Sequence, residues 1–295
     1  MKLCLIVNPN AGRKAGSAVA ARVATLLADA GIETERFVSD GPGGTRRIAE
    51  SIDPGGCDGI VTVGGDGSFF EVINGLLAHA DSIRVPLGVV PVGTGNSFIR
   101  DLGITSPEEA VERIIAGTTR RVDLGRFACD VGAYWFANLL GAGFVSNVAH
   151  RAKRVKGLGS LSYILAVIGE VMRLESTPIV LEIDGLTIER EAIFVEVCNS
   201  RYTGGSMMMA PGARIDDGLF DVIVAGSMSR LTVMKLLPKI FSGAHVESPD
   251  IQVFTGRSVR LRAAKPLALT PDGETFGSTP IDVSMHAGMV EIYGS

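Results

Sequence analysis

The first ninety residues alternate between short runs that are apolar at nearly every position and longer segments with helical spacing. This alternation limits the fold more than any other feature. Strands are expected over 2–8, 33–38, 58–63 and 86–90, and helices over 17–30 (closed by Gly31), 44–52 and 68–79. Strands such as Leu3 to Val7 and Ile60 to Val63 have no polar face to turn to water, so both faces must be covered. Strand and helix in alternation, with both faces covered, mean a doubly wound parallel sheet: an α/β domain over 1–126. Beyond residue 126 the texture changes to β-rich segments with turn signals: Pro178 to Asp184, Gly185, Thr187 to Val197, and later 251–255, 257–263 and 280–293. A β-sandwich domain is expected over 127–295, with helical insertions at 146–174 and at Ser229 to Phe241. The second has an N-cap serine and a closing Gly243. The extreme C-terminal strand is expected to pack back on the first domain.

Charge and rare residues narrow the function. With 28 basic against 32 acidic residues and a net charge of -4, the chain lacks the cationic excess that nucleic-acid binding favours. Its four cysteines (Cys4, Cys57, Cys129, Cys198) show no Cys-x-x-Cys spacing, and its four histidines no zinc motif. A cytoplasmic protein with reduced core thiols is expected. The apolar start, Leu3 to Val7, is too short for a signal peptide, and the longest apolar candidate, Leu161 to Met172, is broken by Glu170, so no membrane span is expected.

Three strand ends carry glycine turns. After the third strand comes Gly64-Gly65-Asp66-Gly67-Ser68, then Phe69-Phe70-Glu71-Val72-Ile73-Asn74-Gly75. Here glycines permit positive φ, a helix opens at Ser68, and Ser68 with Glu71 reads as a Ser-x-x-Glu capping box. Such a turn cradles phosphate, with Asp66 tolerable there if it holds Mg²⁺ or a proton. An ordinary strand-to-helix turn needs neither three glycines nor a rigid cap. A second turn, Gly93-Thr94-Gly95-Asn96-Ser97, follows the fourth strand, and Asn8-Pro9-Asn10-Ala11-Gly12-Arg13-Lys14 follows the first. In open α/β sheets ligands bind at these carboxyl ends, so the turns should converge on one nucleotide phosphate site.

Together, Asn8-Pro9-x-x-Gly12, Gly64-Gly65-Asp66-Gly67, Gly93-Thr94-x-Asn96 and Asp272-Gly273-Glu274 resemble the diacylglycerol and sphingosine kinase-like lipid kinases over nearly the whole chain. NAD kinases share Gly-Gly-Asp-Gly, but the run Glu71 to Gly75 and the C-terminal motifs separate the lipid kinases from them. The resemblance implies an ATP- and Mg²⁺-dependent kinase that phosphorylates a lipid bearing a free hydroxyl. It implies nucleotide contacts from Asn8, Asn10, Ser39, Gly64, Gly65, Asp66, Gly67, Ser68, Glu71, Gly93, Thr94 and Asn96. For the base that takes the lipid proton it offers Glu274 first, with Asp272 and Asp66 as competitors; a plain Asp-Gly hairpin turn is the bland reading of that segment. In Met209 to Val222 it implies Mg²⁺ on Asp217 and on the carbonyls of Arg214 and Leu219, with Asp123 as a further magnesium ligand.

Two positions depart from the pattern: Ser97 and Val145 stand where these kinases often carry acids. They motivate one competing reading, a nucleotide- or lipid-binding module that has lost catalysis; the other, a kinase of a soluble acceptor such as NAD, is one that the Gly-Gly-Asp-Gly turn alone would permit. Transient membrane association is expected through the basic run His150 to Lys156 and the apolar helix Leu158 to Met172. The bland alternative is a solvated helix end beside a core helix.

Overall fold

The computed structural model describes residues 1–93, 95–154 and 169–294. Thr94, Lys156 and most of the expected membrane helix lie outside the described residues. The chain divides into two compact units: Met1–Leu124 with Ala287–Ser295, and Gly125–His286.

In the first unit the elements run β1 (Lys2–Val7), α1 (Gly16–Asp29), β2 (Glu33–Val38), α2 (Gly44–Ser51), β3 (Gly59–Gly64), α3 (Asp66–Leu76), β4 (Leu87–Pro91), α4 (Phe98–Asp101) and α5 (Pro107–Ala116). β2, β1, β3 and β4 pair in that order, all parallel, and Ile292 from the final strand pairs in parallel with Leu87. Leu3, Leu5, Ile6, Ile60, Val61 and Val63 are fully enclosed, as strands covered on both faces must be. The doubly wound α/β reading is therefore observed, with helix and strand limits within three residues of those expected.

The second unit is antiparallel. It takes in the end of β5 (Thr119–Cys129), then β6 (Gly132–Phe136), β7 (Leu139–Gly143), α6 (Phe144–Arg154), β8 (Thr177–Ile183), β9 (Leu186–Cys198), β10 (Tyr202–Thr203), β11 (Met207–Met208), β12 (Phe220–Gly226), α7 (Arg230–Leu236) and β13 (Ile251–Gly256). β14 (Ser258–Ala263), β15 (Ala268–Pro271), β16 (Phe276–Ser278) and the first part of β17 (Ile281–Tyr293) complete it. β9 is its hub. Its first half pairs with β8, while its second half lies between β7 and β12. Side chains alternate across a strand, so Val195 and Val197 enter one core with Val222, Val224 and Leu261. Ile223 and Ala225 face a second cluster, with Val148, Met209 and Val233. Ser229 caps α7, accepting from the Thr232 N–H at 3.1 Å, and Gly243 at φ 77° ends the 3-10 turn that follows, as the sequence pattern anticipates.

Candidate active site

In the first unit the three glycine turns meet. A Cβ on Gly12 would lie 2.9 Å from the Gly93 nitrogen, and one on Gly65 3.2 Å from Asn96 Oδ1. Asn8 ties the turn after β1 to the turn after β3, donating from Nδ2 to Ser68 Oγ at 2.9 Å. Its Oδ1 accepts the Asn10 N–H at 3.0 Å, and Asn96 Nδ2 donates to the Gly93 carbonyl at 3.0 Å. Gly12 and Gly93 carry the positive φ values, 55° and 98°. Gly64, Gly65 and Gly67 do not. Gly64 is glycine because any side chain would strike Ser68, so the expected positive φ in this turn gives way to close approach as the reason for its glycines.

The helix also starts earlier than Ser68. α3 begins at Asp66, and Glu71 does not cap it. Glu71 Oε1 accepts from Gly43 N–H at 3.2 Å and Oε2 from Arg46 N–H at 3.3 Å, so it caps the neighbouring helix α2. A Cβ on Gly75 would lie 2.5 Å from the Arg46 carbonyl, which brings α2 and α3 into backbone contact. The run Glu71 to Gly75 is thus a helix-docking motif. It holds the loop containing Ser39, whose buried hydroxyl bonds the Gly41 carbonyl at 3.0 Å.

Asp66 faces inward. Its Oδ2 accepts the Ser97 N–H at 2.7 Å and Oδ1 the Phe98 N–H at 3.3 Å; burial pushes its pKa up to about 6 against the pull of these donors and the Ser97 hydroxyl. The Ser97 side chain, at the first departing position, thus adds a hydroxyl donor to this carboxylate. Missed in the sequence are Arg13 and Lys14, exposed cations held at φ 60° and 72° beside Gly12. The signal was there, two basic residues inside the first turn. Asp123 is buried and accepts the Gly288 N–H at 2.7 Å, which anchors the returning strand.

In the second unit, Asp272 and Glu274 divide their roles. Asp272 is buried, and its carboxylate accepts the N–H groups of Ala137 (2.9 Å), Asn138 (2.8 Å) and Leu139 (3.1 Å). Three backbone donors commit this carboxylate to holding the turn against residues 137–139. Glu274 is half-buried on the same turn, with its N–H on the Pro271 carbonyl at 2.7 Å. Gly273, between them, lines a cavity of about 260 Å³ walled by Phe144, Val148, Met209, Val233 and Ile240. Val145, at the second departing position, is part of this apolar wall.

Three buried polar side chains also line it: Glu196, Thr270 and His245. Glu196 reaches the cavity because strand alternation turns it away from Val195 and Val197. In register it stands beside Gly141 on β7, which in turn stands beside Thr270 on β15. Among the described residues Glu196 Oε2 and Thr270 Oγ1 have no hydrogen-bond partner, and burial alone pushes the Glu196 pKa up to about 8. His245 is held below its usual pKa by burial, against a marginal contact with the Met209 backbone.

In the Arg214 to Asp221 loop, Asp217 Oδ1 accepts the Leu219 N–H at 3.0 Å, and Arg214 pairs with Asp216 at 3.5 Å. Asp221, the second residue of β12, is pushed up to about 6 by burial and by the nearby Asp217 charge. Among the described residues no cluster of three or more His, Cys, Asp or Glu forms a metal site. The donor set here is two carboxylates and loop carbonyls, oxygen throughout, which fits a hard divalent cation.

A parallel unit with convergent glycine turns followed in the chain by an antiparallel unit is the architecture of the NAD kinase fold. An NAD kinase from Archaeoglobus fulgidus, solved in complex with ATP, superposes with TM-score 0.55 at 15% identity over 99% of this chain and 93% of its own. The sequence resolves the family further. The diacylglycerol kinase catalytic domain matches residues 2–127, and the YegS C-terminal NAD kinase beta sandwich-like domain matches residues 138–294. A diacylglycerol kinase of Mycobacterium tuberculosis is 30% identical over 288 residues, 96% of this chain and 92% of that protein. The crystal structure of a diacylglycerol kinase from Bacillus anthracis superposes with TM-score 0.82 at 27% identity over 100% of this chain and 97% of its own. The chain belongs to the diacylglycerol kinase family of lipid kinases.

Proposed function

We propose that this chain transfers the γ-phosphate of ATP to the hydroxyl of a diacylglycerol-like lipid, with Mg²⁺ required. The observation that carries the reading is the cavity behind Gly273: its apolar walls suit an acyl chain, and the Glu274 carboxylate stands on the turn that helps line it. A soluble acceptor such as NAD would leave that hydrocarbon surface without a partner.

Phosphoryl transfer depends chiefly on positioned phosphates and on neutralised charge. In this reading the glycine turns of Gly12, Gly64 to Ser68 and Gly93 to Asn96 bring backbone N–H groups to the phosphates, and Arg13 and Lys14 supply positive charge. Glu71 and Ser39 set the neighbouring loop, and Asp66 holds the Ser97 turn in register. Glu274 takes the proton from the lipid hydroxyl, while Asp272 fixes the turn that carries it. Asp217 and Asp221, with the carbonyls of Arg214 and Leu219, would hold Mg²⁺, which supplies charge neutralisation to the loop when bound. Asp123 acts as a strand anchor in this account.

The test offers labelled γ-phosphate ATP and Mg²⁺ to diacylglycerol, ceramide and undecaprenol in mixed micelles, beside NAD. Labelled diacylglycerol is expected, reduced about 100-fold or more in kcat by Glu274→Gln at unchanged ATP affinity. Labelled NAD would transfer the protein to the soluble-acceptor kinases. ATP binding with no product from any acceptor would make it a binding module.

A further inference from the structure

The segment Ser229–Gly243 has apolar residues on both sides. Val233, Leu236, Leu237 and Ile240, at helical spacing, line the cavity. A helix that covers a core ordinarily presents polar residues outward. Here Leu231, Met234 and Phe241 stand outward at 65%, 43% and 59% exposure. Around them lie Arg230, Lys235 and Lys239, all exposed, and no acid occurs anywhere between Val222 and Val246. The outer surface of the segment is therefore apolar at its centre and cationic at its margin, and the first acid beyond it, Glu247, stands exposed at the end of the adjoining turn.

We propose that this segment, residues 229–243, is the surface by which the protein rests on an anionic bilayer. Cations without acids complement phospholipid headgroups, and apolar side chains among them complement the acyl boundary beneath. Three apolar side chains fall well short of the roughly 800 Å² per partner that a stable protein complex covers. The proposal rests on the lipid-kinase reading for its purpose, because the same segment walls the cavity on its inner side. A lipid would enter through the wall that touches its bilayer.

This differs from the docking expected of His150 to Met172. Within that stretch Arg151 is committed to Glu170, Nε to Oε1 at 2.5 Å, and 155–168 lie outside the described residues. Among the described residues no ion pair engages Arg230, Lys235 or Lys239.

The test is flotation of the full chain with phosphatidylcholine vesicles containing phosphatidylglycerol, against phosphatidylcholine alone, at low and high salt. The wild type is expected to float with the anionic vesicles only. Lys235→Glu with Lys239→Glu should lower partition by about 100-fold or more, most at low salt, since each cation is worth roughly fivefold and reversal doubles the change. Leu231→Ser with Phe241→Ser should lower it at least tenfold at any salt. In both variants phosphorylation of a short-chain, monomeric diacylglycerol should stay at the wild-type rate, which also establishes that they fold. Unchanged partition in either pair of variants overturns the proposal. So does a wild type that ignores anionic vesicles, or a wild-type dimer in sedimentation that the variants split while partition holds. Vesicle binding lost in the variants of a protein that phosphorylates no lipid would keep the docking surface and reject the proposed reaction.

Discussion

Glu196 provides a measurement whose size follows from its surroundings. Its carboxyl is 2% exposed, faces the cavity from a buried strand, and has one oxygen without a partner. Burial raises its pKa from 4.5 to about 8 in the folded chain. The sign then follows. Below about pH 4.5 the acid is protonated in both states and adds no pH-dependent cost. From there to about pH 8 the unfolded chain ionises while the folded chain keeps its proton, so stability falls as pH rises. At 1.36 kcal/mol per pH unit, the loss between pH 5 and pH 7 is about 3 kcal/mol, and it approaches about 5 kcal/mol over the whole window if the cavity stays dry. Glu196→Gln keeps the shape and cannot ionise. Urea unfolding of both proteins at pH 5, 6, 7 and 8 should show the variant gaining about 3 kcal/mol on the wild type from pH 5 to pH 7. Asp66 and Asp221 titrate alike in both and cancel. Any constant cost of the new amide shifts the curve without changing its slope. Parallel stability curves would refute the reasoning, because they would mean that Glu196 ionises in the folded chain as readily as in water.

Asp272→Asn should lower stability by about 2 kcal/mol or more, since the amide leaves at least one of the three backbone N–H groups with a poor partner; chemical denaturation measures it. Under the same conditions Glu274→Gln should unfold like the wild type. Added Mg²⁺ should raise the melting temperature of the wild type in the absence of nucleotide, and Asp217→Asn should abolish that rise; an equal rise in the variant would place the cation elsewhere.

The α/β half could be read from the sequence because its signals are local. A strand buried on both faces is apolar at nearly every position, and Leu3 to Val7 and Ile60 to Val63, with Thr62 the one polar exception, have no other explanation. Ser229 and Gly243 likewise mark helix ends by chemistry confined to a few residues. Glu71 shows where local reading fails. Three residues after Ser68 is the spacing of a capping box and also the spacing that aims a side chain at a neighbouring helix, and only tertiary contact chooses between them. Asp272 and Glu274 look equivalent in sequence. The loop 137–139, far away in the chain, engages the first and leaves the second to the turn. The cavity was the least legible feature. It assembles stretches near 139–149, 193–209, 225–251 and 270–273, each of which resembles ordinary core when read alone. A single acid in the run Ile193 to Cys198 was its one visible mark.

The last strand sets a timetable. Val290, Ile292 and Tyr293 are buried in the first unit, and Gly288 gives its N–H to Asp123 there. Synthesis therefore releases 124 residues of the first unit early and withholds its remaining piece until the second unit has been made. A nascent chain paused after the first unit exposes the edge of β4 that Ile292 later pairs with, and such an edge invites wrong partners. Gene fragments ending near residue 124 should inherit that exposed edge, and a circular permutant that places the last nine residues ahead of Met1 should relieve it.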